Sequence, residues 1–405
     1  MSLTESSFFP MPSQGNIYSS SVITTVEGKN KILIISSMKK KIITVEPGIE
    51  DGEIEPVAKE IKFSDIPNNA EILSIHSFNK SKTSNDFTVG ITYFKMAAEN
   101  NHVAYLNIYS GQSGSSLEVL SQNCVTIHLN FVPYQLNHAV YSHEGFKMSW
   151  LLSGSDGRIH AYKADEPMQE QNIVNYFVEY QEAGDSSILR FDTKSYNNYQ
   201  KRVSFYGCES GYSMFATVDS TKNQILYRFY EHYQSPVSVM KLFNLKNRAV
   251  NLENIVTDNF TADCDCIDEK EQVCLLVTNA AEPSIIYMNV LEDHLSKVVM
   301  LKNSNCHDVI VCSTIADTNF DSKNEILLGA YGHCILTYAY VDGDWVKRTT
   351  TVLRYPVYGL WYLDITSQGV KDLIVISERG VHILKHDPRD ILAILKDRLK
   401  SKYLQ

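Results

Sequence analysis

The chain has 405 residues, 44% hydrophobic and 21% charged, an ordinary globular balance. A net charge of -10 argues against a nucleic-acid partner, because phosphate contacts need a basic face. No stretch approaches the roughly 20 apolar residues of a membrane span, and the opening MSLTESSFFPMPSQGN lacks the basic start and apolar core of a secretory signal. The eight cysteines follow no zinc-ligand spacing, and Cys208, Cys274, Cys312 and Cys334 lie in apolar runs, as small buried hydrophobes do. A reduced, cytoplasmic setting is expected.

In chain order, short runs rich in Ile, Val, Tyr and Phe predict strands between clusters of Gly, Asn, Asp and Ser. ILIISSMKKKIITV (32–45) is the first strand-turn-strand unit, and its Lys39 to Lys41 reads as a solvated turn. EPGIEDGEIEPVAKE (46–60), acidic with two prolines, predicts a surface loop. A second unit spans 87–109, and LLSGSDGRIHAYK (151–163) is the third. Residues 164–185 predict a longer connection with a helical turn. SFYGCESGYSMFATV (204–218) follows, then a polar insertion at about 244–271 and a unit at 274–290. ILLGAYGHCILTYAY (326–340) and LIVISERGVHILKH (373–386) complete the series.

These units recur about every 40 to 55 residues, the period of propeller blades. No helices alternate with the strands, which excludes a doubly wound α/β fold. The fold class is therefore all-β: a single β-propeller over 16–386, of about seven blades with four antiparallel strands each. A short C-terminal amphipathic helix at 387–405 follows, with Asp387 as N-cap and Pro388 at the first helical position. Its apolar stripe is Ile391, Leu395 and Leu399, which either packs under the last blade to close the ring or serves as an interface.

Catalytic motifs are missing: there is no G-x-S-x-G elbow, phosphate loop, dinucleotide fingerprint or H-E-x-x-H. Isolated histidines such as His128 and His160 fit packed or exposed strand positions. The sharpest motif is ADTNFDSKNEILLGAYG (316–332). Asp317, Asn319, Asp321 and Glu325 could offer side-chain oxygens, with the Lys323 carbonyl, to a hard cation such as Ca²⁺. Ser322 holds the sharp-turn position that glycine usually fills, at a cost of about 1 kcal/mol. The alternative is a turn whose Asp and Asn side chains cap their own backbone. A sister loop, DITSQGVKD (364–372), keeps Asp364, Thr366, Gly369 and Asp372 but has Gln368 in place of an acid.

The acidic loop, the following Gly-Ala strand, a Tyr-bearing strand and the turn in AYVDGDWVKR (339–348) resemble an integrin-type FG-GAP blade. That resemblance implies a Ca²⁺-binding adhesive or lectin-like propeller. A propeller enzyme with a central site is a further alternative. A more extensive resemblance is carried by AEILSIHSFNK (70–80), VGITYFK (89–95), FVPYQLNHA (131–139), LLSGSDGRIHAYK, GCESGY (207–212) and GVHILKH (380–386). These phrases, in order from about residue 16 to 386, are similar to the kaptin family.

The kaptin resemblance implies a non-enzymatic scaffold within KICSTOR, the lysosomal assembly that brings the GATOR complex to the membrane and restrains TOR signalling when amino acids are scarce. Implied partners are the other KICSTOR subunits, GATOR and actin filaments, reached from the cytoplasm without direct membrane insertion. The resemblance brings no catalytic residues, and no cofactor is expected beyond weak Ca²⁺, which rests on the residues of the 317–325 loop.

Overall fold

Seven four-stranded antiparallel sheets are arranged around a central channel in the computed structural model. It describes residues 3–24, 31–39, 41–50, 52–81, 84–96, 102–111, 114–142, 147–246, 267 and 269–403. The innermost strands are Ser20–Thr24, Ala70–Asn79, Pro133–Ser142, Ile188–Tyr196, Val237–Asn244, Ile310–Ala316 and Val357–Leu363, one for each blade in order. Each then steps outward through three more strands, as the blade period required.

Every strand-turn-strand unit read in the sequence is the second-to-third-strand hairpin of one blade. Those second strands are near-continuous apolar runs because a neighbouring blade covers each face. Val273–Asn279 and Glu325–Ala330 are buried along their whole length. Outer strands alternate instead, as in Gln224–His232, where one face meets solvent. Gly329 in a second strand admits the next blade: a Cβ there would lie 2.8 Å from Val357 Cγ1.

Among the described residues the core is split into seven apolar clusters, one for each interface between adjacent blades. Leu276 and Trp345 join the fifth and sixth blades, and Leu327 and Val375 join the sixth and seventh. Leu33 and Ile374 join the first to the seventh, so the ring is closed.

Closure uses a strand the sequence reading left outside the propeller. Leu3–Pro10 pairs with Gly380–His386 and forms the outer strand of the seventh blade. Ring closure is thus a sheet ladder, and the terminal helix does not supply it.

The surface loop expected at 46–60 is corrected to a hairpin of Ile42–Glu50 and Glu53–Ile61, turning at Gly52 with φ 86°. Pro47 and Pro56 stand opposite each other in its register. Glu46 to Glu50 pair only with this outer strand, so the missing N–H groups interrupt no central ladder. The 164–185 connection supplies the short outer strand Glu170–Gln171 and two 3-10 turns, Ile173–Asn175 and Val178–Tyr180. Most of the 244–271 insertion lies outside the described residues, including Cys264 and Cys266.

Candidate functional site

The acidic loop at 317–325 joins the first and second strands of the sixth blade, and its sister at 364–372 does the same in the seventh. The two fold alike. Asp317 Oδ1 and Oδ2 accept the N–H groups of Asp321 (3.0 Å) and Ser322 (2.9 Å). Asp364 accepts those of Gln368 (3.0 Å) and Gly369 (2.7 Å). Ser322 is left-handed with φ 67°, matching Gly369 at 85°, which is the backbone the sequence spacing demanded.

The loop brings carboxylate oxygens of Asp317, Asp321 and Glu325 within 4.8 Å of one another. Its internal donors also satisfy them. Glu325 Oε2 accepts from Thr318 N (2.7 Å) and Thr318 Oγ1 (2.9 Å), and Asn319 Nδ2 donates to Glu325 Oε1 and to Asp321 Oδ2. Asn319 Oδ1, the expected ligand atom, accepts the Asp321 N–H at 2.8 Å. Burial pushes the Glu325 carboxyl up to about 7, beyond what the Thr318 donors counter. Burial does the same to Asp372, also to about 7.

The terminal helix runs Pro388–Tyr403, and Asp387 Oδ1 accepts the Arg389 N–H at 2.8 Å as a cap. Ile391 and Leu395 are half-buried and join none of the seven core clusters, while Leu392 is exposed. The side chain of Leu399 lies outside the described residues.

Sequence reasoning missed the groups that fill the centre. Inner strands of the blades enclose a cavity of about 460 Å³. Arg190, from the fourth blade, sends Nε to Ser238 O (2.9 Å) in the fifth and Nη2 to Val311 O (3.2 Å) in the sixth. Its Nη2 also reaches Ile17 O (3.5 Å), beside the first blade. Its guanidinium lies 4.8 Å from the Tyr18 ring centroid, and Tyr18 Oη donates to Leu189 O at 2.7 Å. Tyr18 and Arg190 thus tie opposite sides of the ring across the channel. Burial pushes the Tyr18 phenol up to about 12 and draws the guanidinium below its ordinary value. A basic residue inside a strand was the only sequence signal.

His160, read as a packed or exposed strand residue, is packed: it stacks on Phe131 at 3.8 Å and is bonded to Glu170 (2.7 Å) and Asp156 (3.1 Å). The buried thiols follow expectation: burial raises Cys208 and Cys312 to about 12, far from a reactive thiolate. Among the described residues, no helix is long and apolar enough to cross a membrane.

Seven four-stranded blades closed by a sheet ladder define a seven-bladed β-propeller. Its likeness to solved structures, at under a tenth identity, concerns the fold alone. One is described as BBS1N in complex with ARL6DN, with TM-score 0.57 at 9% identity over 96% of this chain and 97% of that one. Another, from the Mitotic Checkpoint Complex, gives 0.53 at 8% identity over 95% and 92%. The chain belongs to the family of KICSTOR complex protein kaptin, whose pattern matches residues 3–396. The mouse KICSTOR complex protein kaptin is 30% identical over 415 residues, covering 100% of this chain and 92% of that protein.

Proposed function

We propose that this propeller is a non-enzymatic scaffold subunit of a KICSTOR-type complex. The observation that carries the reading is family membership along nearly the whole chain. In this role it docks the other KICSTOR subunits, helps bring GATOR to the lysosomal surface, and restrains TOR signalling in nutrient scarcity. Association with actin filaments belongs to the same reading. The propeller architecture supports it, because rigid blades present loops and outer strands as broad binding surfaces.

Two segments are proposed contacts: the polar insertion 244–271, and the terminal helix through Ile391, Leu395 and Leu399. Burial of such a stripe would supply the apolar centre that an interface needs. The experiment is affinity purification of the tagged full chain from native cells, with mass spectrometry of what is retained. Recovery of KICSTOR subunits and GATOR in nutrient-starved cells is the expected result. A chain recovered without either, or a purified chain that turns over a substrate, overturns the reading.

A further inference from the structure

The hairpin of Ile42–Glu50 and Glu53–Ile61 is longer than the blade that carries it. The second strand, Lys31–Ser36, pairs with it only as far as Val45. Glu46 to Glu50 and their partners Glu53 to Val57 therefore run on as a two-stranded ribbon, about 17 Å long. Directly opposed residues of an antiparallel pair share a face, and faces alternate along each strand. One face of the ribbon carries Val45 with Ala58, then Pro47 with Pro56, then Ile49 with Ile54. The other carries Glu46, Glu53 and Glu55.

The apolar row starts inside the protein and ends in water. Val45 is buried in the cluster between the first and seventh blades, and Ala58 packs against the same cluster. Ile49 is 80% exposed, the most of any large apolar side chain among the described residues, and Ile54 opposite it is 44% exposed. Scattered surface isoleucines need no explanation, but a facing pair at the end of a continuous apolar row is the pattern of a contact site. A free two-stranded ribbon is marginal in water, and this one is braced. Lys385 in the seventh blade donates to Glu55 Oε2 at 2.6 Å, and Gln368 Nε2 donates to the Ile54 carbonyl at 3.3 Å. Lys59 pairs with Glu46. The tip is thus held in place beforehand, which lowers the ordering cost of binding.

Charge defines the partner. Residues 42 to 58 include acids at 46, 50, 51, 53 and 55 and no Lys or Arg. An interface that buries the isoleucine pair brings carboxylates to its rim, where opposite charge attracts and orients. We propose that the ribbon is a plug: Ile49 and Ile54 enter an apolar cleft of another KICSTOR-type subunit, and that cleft is rimmed by Lys and Arg. The contact presupposes the scaffold role proposed above and names a surface through which it is exercised.

The test is a quantitative pull-down of the tagged full chain from native cells, read by mass spectrometry, beside thermal melts of the purified variants. Ile49→Ser combined with Ile54→Ser should hold the melting temperature within about 1 °C, as exposed positions do. It should cut recovery of one KICSTOR subunit about tenfold, the effect of losing a buried anchor. Glu53→Lys, which keeps both isoleucines, should weaken recovery of the same subunit. Leu226→Ser, at a 51% exposed position on the fourth blade, should leave it unchanged. A folded double variant that keeps every subunit overturns the ribbon contact and leaves the scaffold role standing, whereas a native chain that recovers no KICSTOR subunit overturns both. Full recovery by Glu53→Lys overturns the basic rim. Loss of the same subunit from Leu226→Ser, or a double variant that melts several degrees lower, overturns the contact as well.

Discussion

Arg202 of the fourth blade and Glu179 of the 3-10 turn before it form a two-pronged ion pair, with Nε to Oε1 and Nη2 to Oε2 both at 2.7 Å and each residue 1% exposed. Glu179 Oε1 also accepts from Ser204 Oγ (2.7 Å), and Arg202 Nη2 donates to Asn223 Oδ1 (2.9 Å). The guanidinium carbon stands 5.1 Å from the Phe177 ring centroid. Every charge in this group has its partners, which is the condition under which a buried pair is tolerated.

Breaking the pair from one side should be costly. Glu179→Ala leaves a buried guanidinium without its counter-charge, and a loss of about 3–5 kcal/mol is expected. Replacing both residues with apolar ones of similar volume should cost less than that single change. Denaturant unfolding of the two variants checks this, and equal losses would show that the pair's charge is unimportant.

His160 sets a pH dependence. Burial disfavours its charged form, but the hydrogen bonds and charges of Glu170 and then Asp156 outweigh this, so its folded value is raised. A histidine raised on folding contributes stability that is fully present below about 6.5 and lost as pH rises through its folded value. His160→Gln should therefore destabilise the protein more at pH 6 than at pH 9. Melts at both values decide it, and an equal loss would assign the effect to packing on Phe131 alone.

The sister loops predict opposite responses to exchanged residues. Ser322 and Gly369 share the left-handed backbone, which an L side chain resists. Ser322→Gly should leave stability unchanged or raise it by up to about 1 kcal/mol, and Gly369→Ser should lower it by about 1 kcal/mol. Thermal unfolding of each variant measures the difference. A loss from Ser322→Gly would mean the serine hydroxyl itself holds the loop.

Calcium should be dispensable. The carboxylates of Asp317, Asp321 and Glu325 already have donors from their own loop. Saturating Ca²⁺ or a chelator should move the melting temperature by less than about 1 °C, roughly 1 kcal/mol for a chain of this size. A larger rise with Ca²⁺, abolished by Asp321→Ala, would establish a native cation site there.

The terminal helix separates two outcomes. Leu395→Asp should leave a folded propeller, because no described residue of the helix belongs to a blade interface. If the stripe docks a partner, the folded variant loses KICSTOR-type subunits in a pull-down. Unfolding, seen by circular dichroism, would assign the stripe to packing instead.

The blade count was legible because burial on both faces makes a second strand apolar without interruption, as at Leu33 to Ile35. The left-handed turn at Ser322 was legible too, since ligand-like spacing is backbone geometry written in side chains. The 46–60 hairpin was not. Its prolines suit a two-stranded edge as well as a loop, and only the facing register of Pro47 and Pro56 separates these. The closing strand Leu3–Pro10 carries the alternating pattern of an edge, too weak to mark before its partner is known. Arg190 and the carboxylate partners of His160 escaped because they are brought together from other blades or across a hairpin, distances that one sequence does not display.

The first strand's attachment to the last blade makes order of synthesis matter. Ser6 Oγ donates to the Ile383 carbonyl across 377 residues of chain, so the seventh sheet is incomplete until almost everything between has been made. Six blades can form while translation proceeds, but the ring cannot lock during elongation. Until then, Leu3–Pro10 and the unclosed flank of Gly380–His386 are open sheet edges, each a template for a neighbouring copy. A tag fused before residue 3 would hang beside this seam, and cutting away residues 3–10 would leave a nascent-like ring that exchanges strands with its neighbours.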